Sequence, residues 1–90
     1  MRDFDIICIG EPLVEFNQIN GTQWHQGFGG DVSNVAIGAA RLGARSAIAT
    51  RLGDDGFGQE LRKLWSREGV DASCVATDAS APTGLYFVRH

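Results

Sequence analysis

The chain has few positively charged residues, and they do not cluster. Among its 90 residues, eight are Lys or Arg and 11 are Asp or Glu, which gives a net charge of −3. These charges are mixed along the sequence. Nucleic acids and anionic membrane surfaces attract basic patches, so neither is a predicted partner.

Cysteine pairs and long hydrophobic runs are also lacking. Cys8 and Cys74 lie far apart, with no C-x-x-C motif and no neighbouring His. This pattern predicts reduced thiols in a cytoplasmic protein rather than a disulfide framework or a metal site. The acidic start is followed by only a few apolar residues, which is too short for a signal peptide, and no run could span a bilayer.

The familiar nucleotide-binding fingerprints are missing, although glycine is frequent at 12 of 90 residues. A G-x-G-x-x-G motif that began at Gly27 would need glycine where Val32 stands. One that began at Gly56 would need it at Leu61. No G-x-x-x-x-G-K-[ST] motif occurs either. A nicotinamide-dependent enzyme and a P-loop NTPase are therefore disfavoured.

What the sequence does contain is the pattern of a layered α/β protein. Hydrophobic residues make up 43% of the chain and charged residues 21%, as in a globular domain or part of one. The predicted elements are a strand buried on both faces (5–10), a hairpin around Asn20-Gly21 (13–19 and 22–28), a helix (31–42), a strand (45–53), a helix capped by Asp54 or Asp55 (54–69), a short strand or irregular link (70–77) and a last strand (83–90). This order predicts an α/β domain with a small antiparallel addition. The chain stops inside a predicted strand, so we expect it to be the N-terminal piece of a longer fold.

One stretch brings glycines and polar residues to the start of the first helix. It reads HQGFGGDVSNVAIGAARLG and covers residues 25–43. A helix start has unpaired N–H groups and a partial positive charge, which attract anions and polar ligand atoms. The stretch is therefore either a tight structural turn or a place where the backbone touches a ligand.

The spacing of small residues in this stretch resembles the N-terminal signature of the PfkB-type, or ribokinase-like, sugar kinases. The matching positions are Gly29, Gly30, Asn34, Ala36, Gly43 and Gly53. Val32 departs from the pattern, since the family usually has Gly, Ala or Pro there. The segments IGEPLVEF, RLGDDGFGQELRKLWSREGVD and TGLYFVR are similar to other parts of the family. Within it, the chain looks most like 2-keto-3-deoxygluconate kinases, with fructokinases and ribokinases as alternatives.

The resemblance implies a three-layer α/β/α core with a small β-sheet lid, formed here by about 13–28 and 84–90. It implies transfer of the ATP γ-phosphoryl group to a sugar or sugar acid, with Mg²⁺. The family's catalytic Asp and ATP pocket lie beyond residue 90, so these residues alone are expected to be inactive. Association of two copies through the lid is a further option. The alternative from another class is a non-catalytic module that binds a sugar or nucleoside.

The same resemblance also implies which residues touch the sugar. Gly29 and Gly30 would let the backbone approach its hydroxyl groups, and a tight turn is the structural alternative. Asn34 would hydrogen-bond the sugar from the first helical turn, unless it is solvent-exposed or caps the helix. For Asp31, sugar binding and helix capping are equally good interpretations.

Two more candidate sugar-binding residues lie in the lid. Glu15 matches an acidic ligand of sugar hydroxyls, although a solvated lid face is nearly as good an explanation. Tyr86 would stack on or hydrogen-bond the substrate, against a packing role. Arg89 could pair with the carboxylate of a sugar acid, but a surface position is favoured, as it is for His25. Trp65 is expected in the core.

Overall fold

The computed structural model describes residues 4–89. It contains six strands and two helices, in the order β1 (Ile6–Ile9), β2 (Leu13–Gln18), β3 (Trp24–Gly29), α1 (Asp31–Arg41), β4 (Ser46–Gly53), α2 (Gly56–Arg67), β5 (Asp71–Asp78) and β6 (Leu85–Val88). The predicted order of elements is confirmed. Neither helix in the described range has the length and hydrophobicity needed to cross a lipid bilayer.

A parallel core sheet is formed by three strands in the order β1-β4-β5. Helix α1 connects β1 to β4, and α2 connects β4 to β5, so both crossovers advance in the same direction. Since such crossovers are right-handed, both helices cover the same face. The side chain of Trp65 on α2 is fully buried there, and its indole N–H donates to the Ser33 hydroxyl of α1 at 2.9 Å. The prediction of Trp65 in the core is confirmed.

The first strand differs from its prediction. It was expected to be buried on both faces, but only Cys8 of β1 is buried, whereas Ile7 and Ile9 are 53% and 80% exposed. The alternation follows from the position of the helices, because within residues 4–89 both helices cover the same face of the core sheet. Within residues 4–89, the predicted burial of β1 is therefore found on one face only.

A second, small sheet has the strand order β3-β2-β6. Strands β2 and β3 form the predicted antiparallel hairpin, whose turn is held by the Asn20 side chain, which accepts from the N–H groups of Thr22 and Gln23 at 3.2 Å. Strand β6 runs parallel to β2 and brings Tyr86 opposite Glu15.

The helix and strand boundaries lie close to the predicted ones. Helix α1 ends one residue before the predicted 42, and Asp55, one of the two proposed caps, accepts from the N–H of Gly58 to cap α2. The segment predicted as a short strand or link is a full strand, β5. His90, the end of the predicted last strand, lies outside the described residues.

Candidate functional site

A cavity of about 730 Å³ opens where the two sheets meet. It lies at the carboxyl end of β1, beside the start of α1 and under the small sheet. Its lining residues are Cys8, Ile9, Glu11, Leu13, Glu15, Gly29, Gly30, Asp31, Val32, Val35 and Tyr86. The volume is within the range of small-molecule sites, and ligands commonly bind at the carboxyl ends of parallel strands. Five of the six predicted sugar-binding residues line this cavity.

The two glycines at the helix start differ in what the protein requires of them. Gly30 has φ +91°, and a Cβ there would lie 3.0 Å from the Pro12 Cα and 3.1 Å from the Leu13 nitrogen. At Gly29, by contrast, a Cβ would make only ordinary contact, 3.5 Å from the Glu15 Cβ. The fold itself therefore explains Gly30, whereas it leaves Gly29 without a steric reason.

The start of α1 faces the cavity without a side-chain cap. Gly30 is the N-cap residue, and it has no side chain that could accept from the first N–H groups of the helix. Asp31 is the first helical residue rather than its cap. The N–H groups of the first turn are thus available to a ligand, and they carry the positive end of the helix dipole. The capping interpretation of Asp31 is not what the structure shows.

All charged side chains that line the cavity are carboxylates. They are Glu11, Glu15 and Asp31, and no Lys, Arg or His occurs among the described residues around it. Carboxylates accept hydrogen bonds from hydroxyl groups, while the helix N–H groups and the Tyr86 hydroxyl can donate. The three do not converge on one point: within residues 4–89, no group of three such side chains is arranged to hold a metal ion. The cavity therefore matches a ligand that both donates and accepts hydrogen bonds.

Asn34 is placed elsewhere. It is exposed, and it lines a separate cavity of about 320 Å³ on another face of α1, together with Phe28, Ile37, Gly38, Arg41 and Leu64. Two further candidates also lie away from the main cavity. Arg89 is exposed beyond the end of β6, and His25 is exposed on β3, so neither is among the lining residues.

A partly buried hydrogen-bond network joins the small sheet to the core. The Asp55 carboxylate accepts from the backbone N–H of Thr83 at 2.9 Å and from the Thr83 hydroxyl at 2.7 Å. The Thr83 hydroxyl in turn accepts from the N–H of Gly53 at 3.0 Å, and Thr83 is only 3% exposed. The N–H groups of Thr83 and Gly58, both donating to this carboxylate, lower the pKa of Asp55 below its ordinary value.

Sequence reasoning missed several of these residues. Glu11 directly follows the glycine that ends the first strand, so the rule that ligands bind at the carboxyl ends of parallel strands could have identified it. Cys8 and its neighbour Ile9 both line the cavity. Strand alternation alone could not show which of the two side chains would face it. Thr83 is 28 residues from Asp55, and no local pattern signals their contact.

The chain is similar in sequence to several sugar kinases. The 2-dehydro-3-deoxygluconokinase of Thermoproteus tenax is 34% identical over 90 residues, an alignment that covers 93% of this chain and 28% of that protein. Fructokinase-2 of Solanum habrochaites is 40% identical over 90 residues, which cover 92% of this chain and 27% of that enzyme. The chain thus spans less than a third of the length of these relatives.

Solved structures show the same fold. A PfkB protein from Polaromonas sp. JS666 matches with a TM-score of 0.90 and 35% identity, over 98% of this chain and 32% of that one. A fructokinase from Xylella fastidiosa with bound ATP matches with a TM-score of 0.87 and 34% identity, over 91% of this chain and 26% of that one. The α/β arrangement described above is therefore the ribokinase-like fold, in part. Residues 3–89 match the pattern of the pfkB family carbohydrate kinases, and the chain belongs to that family.

Proposed function

We propose that these residues are the N-terminal, sugar-binding part of an ATP-dependent kinase, which transfers the γ-phosphoryl group to a hydroxyl of a sugar or sugar acid. The observation that supports this most is the cavity between the two sheets. It combines three carboxylates with an uncapped helix start, and so offers acceptors and donors to a ligand rich in hydroxyl groups. The small sheet would act as a lid over the bound sugar.

ATP and Mg²⁺ would be bound mainly by residues outside this chain. The fructokinase of Xylella fastidiosa is a structural neighbour with bound ATP, which supports ATP as the phosphoryl donor. Transfer also needs a base for the sugar hydroxyl and neutralisation of phosphate charge. The cavity carboxylates would orient the hydroxyl groups, and we assign no catalytic residue to the described part of the chain.

For the acceptor, 2-keto-3-deoxygluconate is the first candidate, because the T. tenax relative is a kinase of that compound under its other name. Fructose is the second, and a specific observation favours it. The charged groups that line the cavity in the described residues are all negative, so they would repel the carboxylate of a sugar acid. An acidic substrate would need a cation from another part of the protein, whereas a neutral sugar would not.

Substrate preference can be tested with the full-length protein that carries these residues. We would assay 2-keto-3-deoxygluconate, fructose and ribose with ATP and Mg²⁺, in the wild type and in Gly29→Ala. The variant should raise the KM of the accepted sugar while the KM of ATP stays unchanged, because the added methyl group would lie at the cavity wall beside the Glu15 side chain and reduce the space for the ligand. Gly27→Ala is the matched control, since this glycine is on the same strand and a Cβ there meets nothing within 4 Å.

The outcomes separate the candidates. Phosphorylation of a neutral sugar alone would contradict 2-keto-3-deoxygluconate as the acceptor but leave the kinase proposal intact. Binding of a sugar without any phosphoryl transfer would instead indicate a non-catalytic module. If Gly29→Ala behaves like Gly27→Ala, the helix start does not contact the sugar.

A further inference from the structure

The short strand β6 carries Tyr86 to the cavity, but its own pairing is limited. It has four residues and pairs with β2 alone among the described strands. Of these residues, Leu85, Tyr86 and Phe87 are more than 40% exposed. Few buried contacts therefore hold β6 at one position along β2.

The register of this pairing decides which side chain faces the cavity. In the structure Glu15 is opposite Tyr86, and Phe16 is opposite Phe87. Because side chains alternate along a strand, a slip of one residue would turn Tyr86 to the other face of the small sheet. Within the small sheet, the stacked rings of Phe16 and Phe87 and the hydrogen bond from the Val14 N–H to the Gly84 carbonyl favour this register. A contact that fixes the segment just before β6 would hold the register as well.

Thr83 provides that contact, three residues before Tyr86. Its backbone N–H and its hydroxyl both donate to Asp55, and its hydroxyl accepts from Gly53. Asp55 is itself fixed, since it caps α2 through Gly58 at 2.8 Å. The segment that enters β6 is thus attached to the core by three hydrogen bonds, of which the one from Gly53 is buried and the two to Asp55 are partly buried.

We propose that Asp55 is a positioning residue for the sugar site: by holding Thr83, it fixes the register of β6 and keeps Tyr86 on the cavity face. The role of Tyr86 in this inference rests on the proposed function, but the fixed register does not. Asp55 acts through Thr83 and does not touch the sugar itself.

The experiment uses Thr83→Val in the full-length protein, because valine keeps the shape of threonine without its hydroxyl. We expect the KM of the accepted sugar to rise about tenfold while the KM of ATP is unchanged. Thr83→Ser retains the hydroxyl and should restore the wild-type KM. Ser80→Ala is the control in the same loop, since it removes an exposed hydrogen bond to Asp78 instead.

A double-mutant cycle distinguishes positioning from general destabilisation. Tyr86→Phe should lower kcat/KM for the sugar about fivefold in the wild type, and should cause no further loss in Thr83→Val. Asp55→Ser adds a second test. Serine can still cap α2, so the helix should keep its stability, but the lost carboxylate oxygen should release Thr83 and reproduce the raised sugar KM.

Hydrogen exchange provides a measurement that needs no substrate. Amides of residues 85–88 should exchange faster in Thr83→Val and in Asp55→Ser, whereas those of β4 should not change. Unchanged exchange in β6 would overturn the inference, as would a Tyr86→Phe effect that persists fully in the Thr83→Val background. If the wild type phosphorylates no sugar, the proposed function fails, and the exchange rates of β6 still test whether Asp55 and Thr83 hold its register.

Discussion

Replacing Gly30 with alanine should destabilise the protein by more than backbone strain alone. Gly30 has φ +91° and ψ 127°, a conformation that side chains with a Cβ rarely adopt. Such strain costs about 1–3 kcal/mol. The new methyl group would also lie within 3.2 Å of three atoms of Glu11, Pro12 and Leu13, all of them in the backbone. Because backbone atoms cannot rotate away, crowding should add about 1–3 kcal/mol, for a total of about 2–6 kcal/mol.

Gly43 offers a matched control for this substitution. Its φ is +92°, but a Cβ there would meet nothing within 4 Å. Gly43→Ala should therefore carry the strain without the crowding. The assay is the free energy of unfolding in urea, measured for both variants in the full-length protein.

Because both glycines have a positive φ, the difference between the two variants contains the crowding term together with the difference in strain that their ψ angles cause. If Gly30→Ala costs no more than Gly43→Ala within about 0.5 kcal/mol, then the packing argument at the helix start is refuted. In that case the positive φ, and not crowding, would be the structural reason for glycine at position 30. If the difference has the expected size, the segment 11–13 must move, and the sugar KM should rise as well because this segment borders the cavity.

The remaining predictions concern Asn34 and Asp55. Because the structure places Asn34 in the smaller cavity, Asn34→Ala should leave kcat/KM for the sugar nearly unchanged. A loss of about tenfold with an unchanged KM of ATP would show instead that this amide hydrogen-bonds the sugar, since a lost hydrogen bond costs about 1–3 kcal/mol. The folded state should lose stability in acid through Asp55, whose pKa is lowered by the N–H groups of Thr83 and Gly58. Since the folded pKa is below the unfolded value of about 4, this contribution is present above pH 4 and is lost as the pH falls through the folded pKa. The free energy of unfolding, measured between about pH 5 and 2, should depend less on pH in Asp55→Ser than in the wild type or in Asp54→Asn.

Local patterns in the sequence predict the elements well because each has a local cause. The Asn20-Gly21 pair determines the hairpin, and the helical spacing of apolar residues with Asp55 before it determines α2. Burial of β1 could not be predicted in the same way. It depends on which face the crossover helices cover, and a run of four apolar residues is compatible with one covered face or two.

The predicted residues that line the cavity come from both the helix start and the small sheet, whereas Asn34, in the first turn of α1, lines a different cavity. Five predicted residues lie around the cavity because Gly29, Gly30 and Asp31 are neighbours in sequence, and Glu15 and Tyr86 are brought beside them by strand pairing. The orientation of Asn34 depends on the rotation of α1 about its axis, which is set by packing against β1 and β4 and by the hydrogen bond from Trp65 to Ser33. Spacing in the sequence does not determine that rotation.

The site needs both sheets because neither supplies all the hydrogen-bonding groups. The core sheet and α1 contribute N–H donors at the helix start, whereas the small sheet contributes the carboxylate of Glu15 and the hydroxyl of Tyr86. A sugar hydroxyl that donates to one sheet and accepts from the other can do so only at a fixed separation of the two. That separation is set at the start of α2, where Asp55 holds Thr83 and the Phe57 ring contacts Phe16 edge-on at 5.9 Å. Changes in the first turn of α2 should therefore alter sugar affinity, although this turn lies outside the cavity.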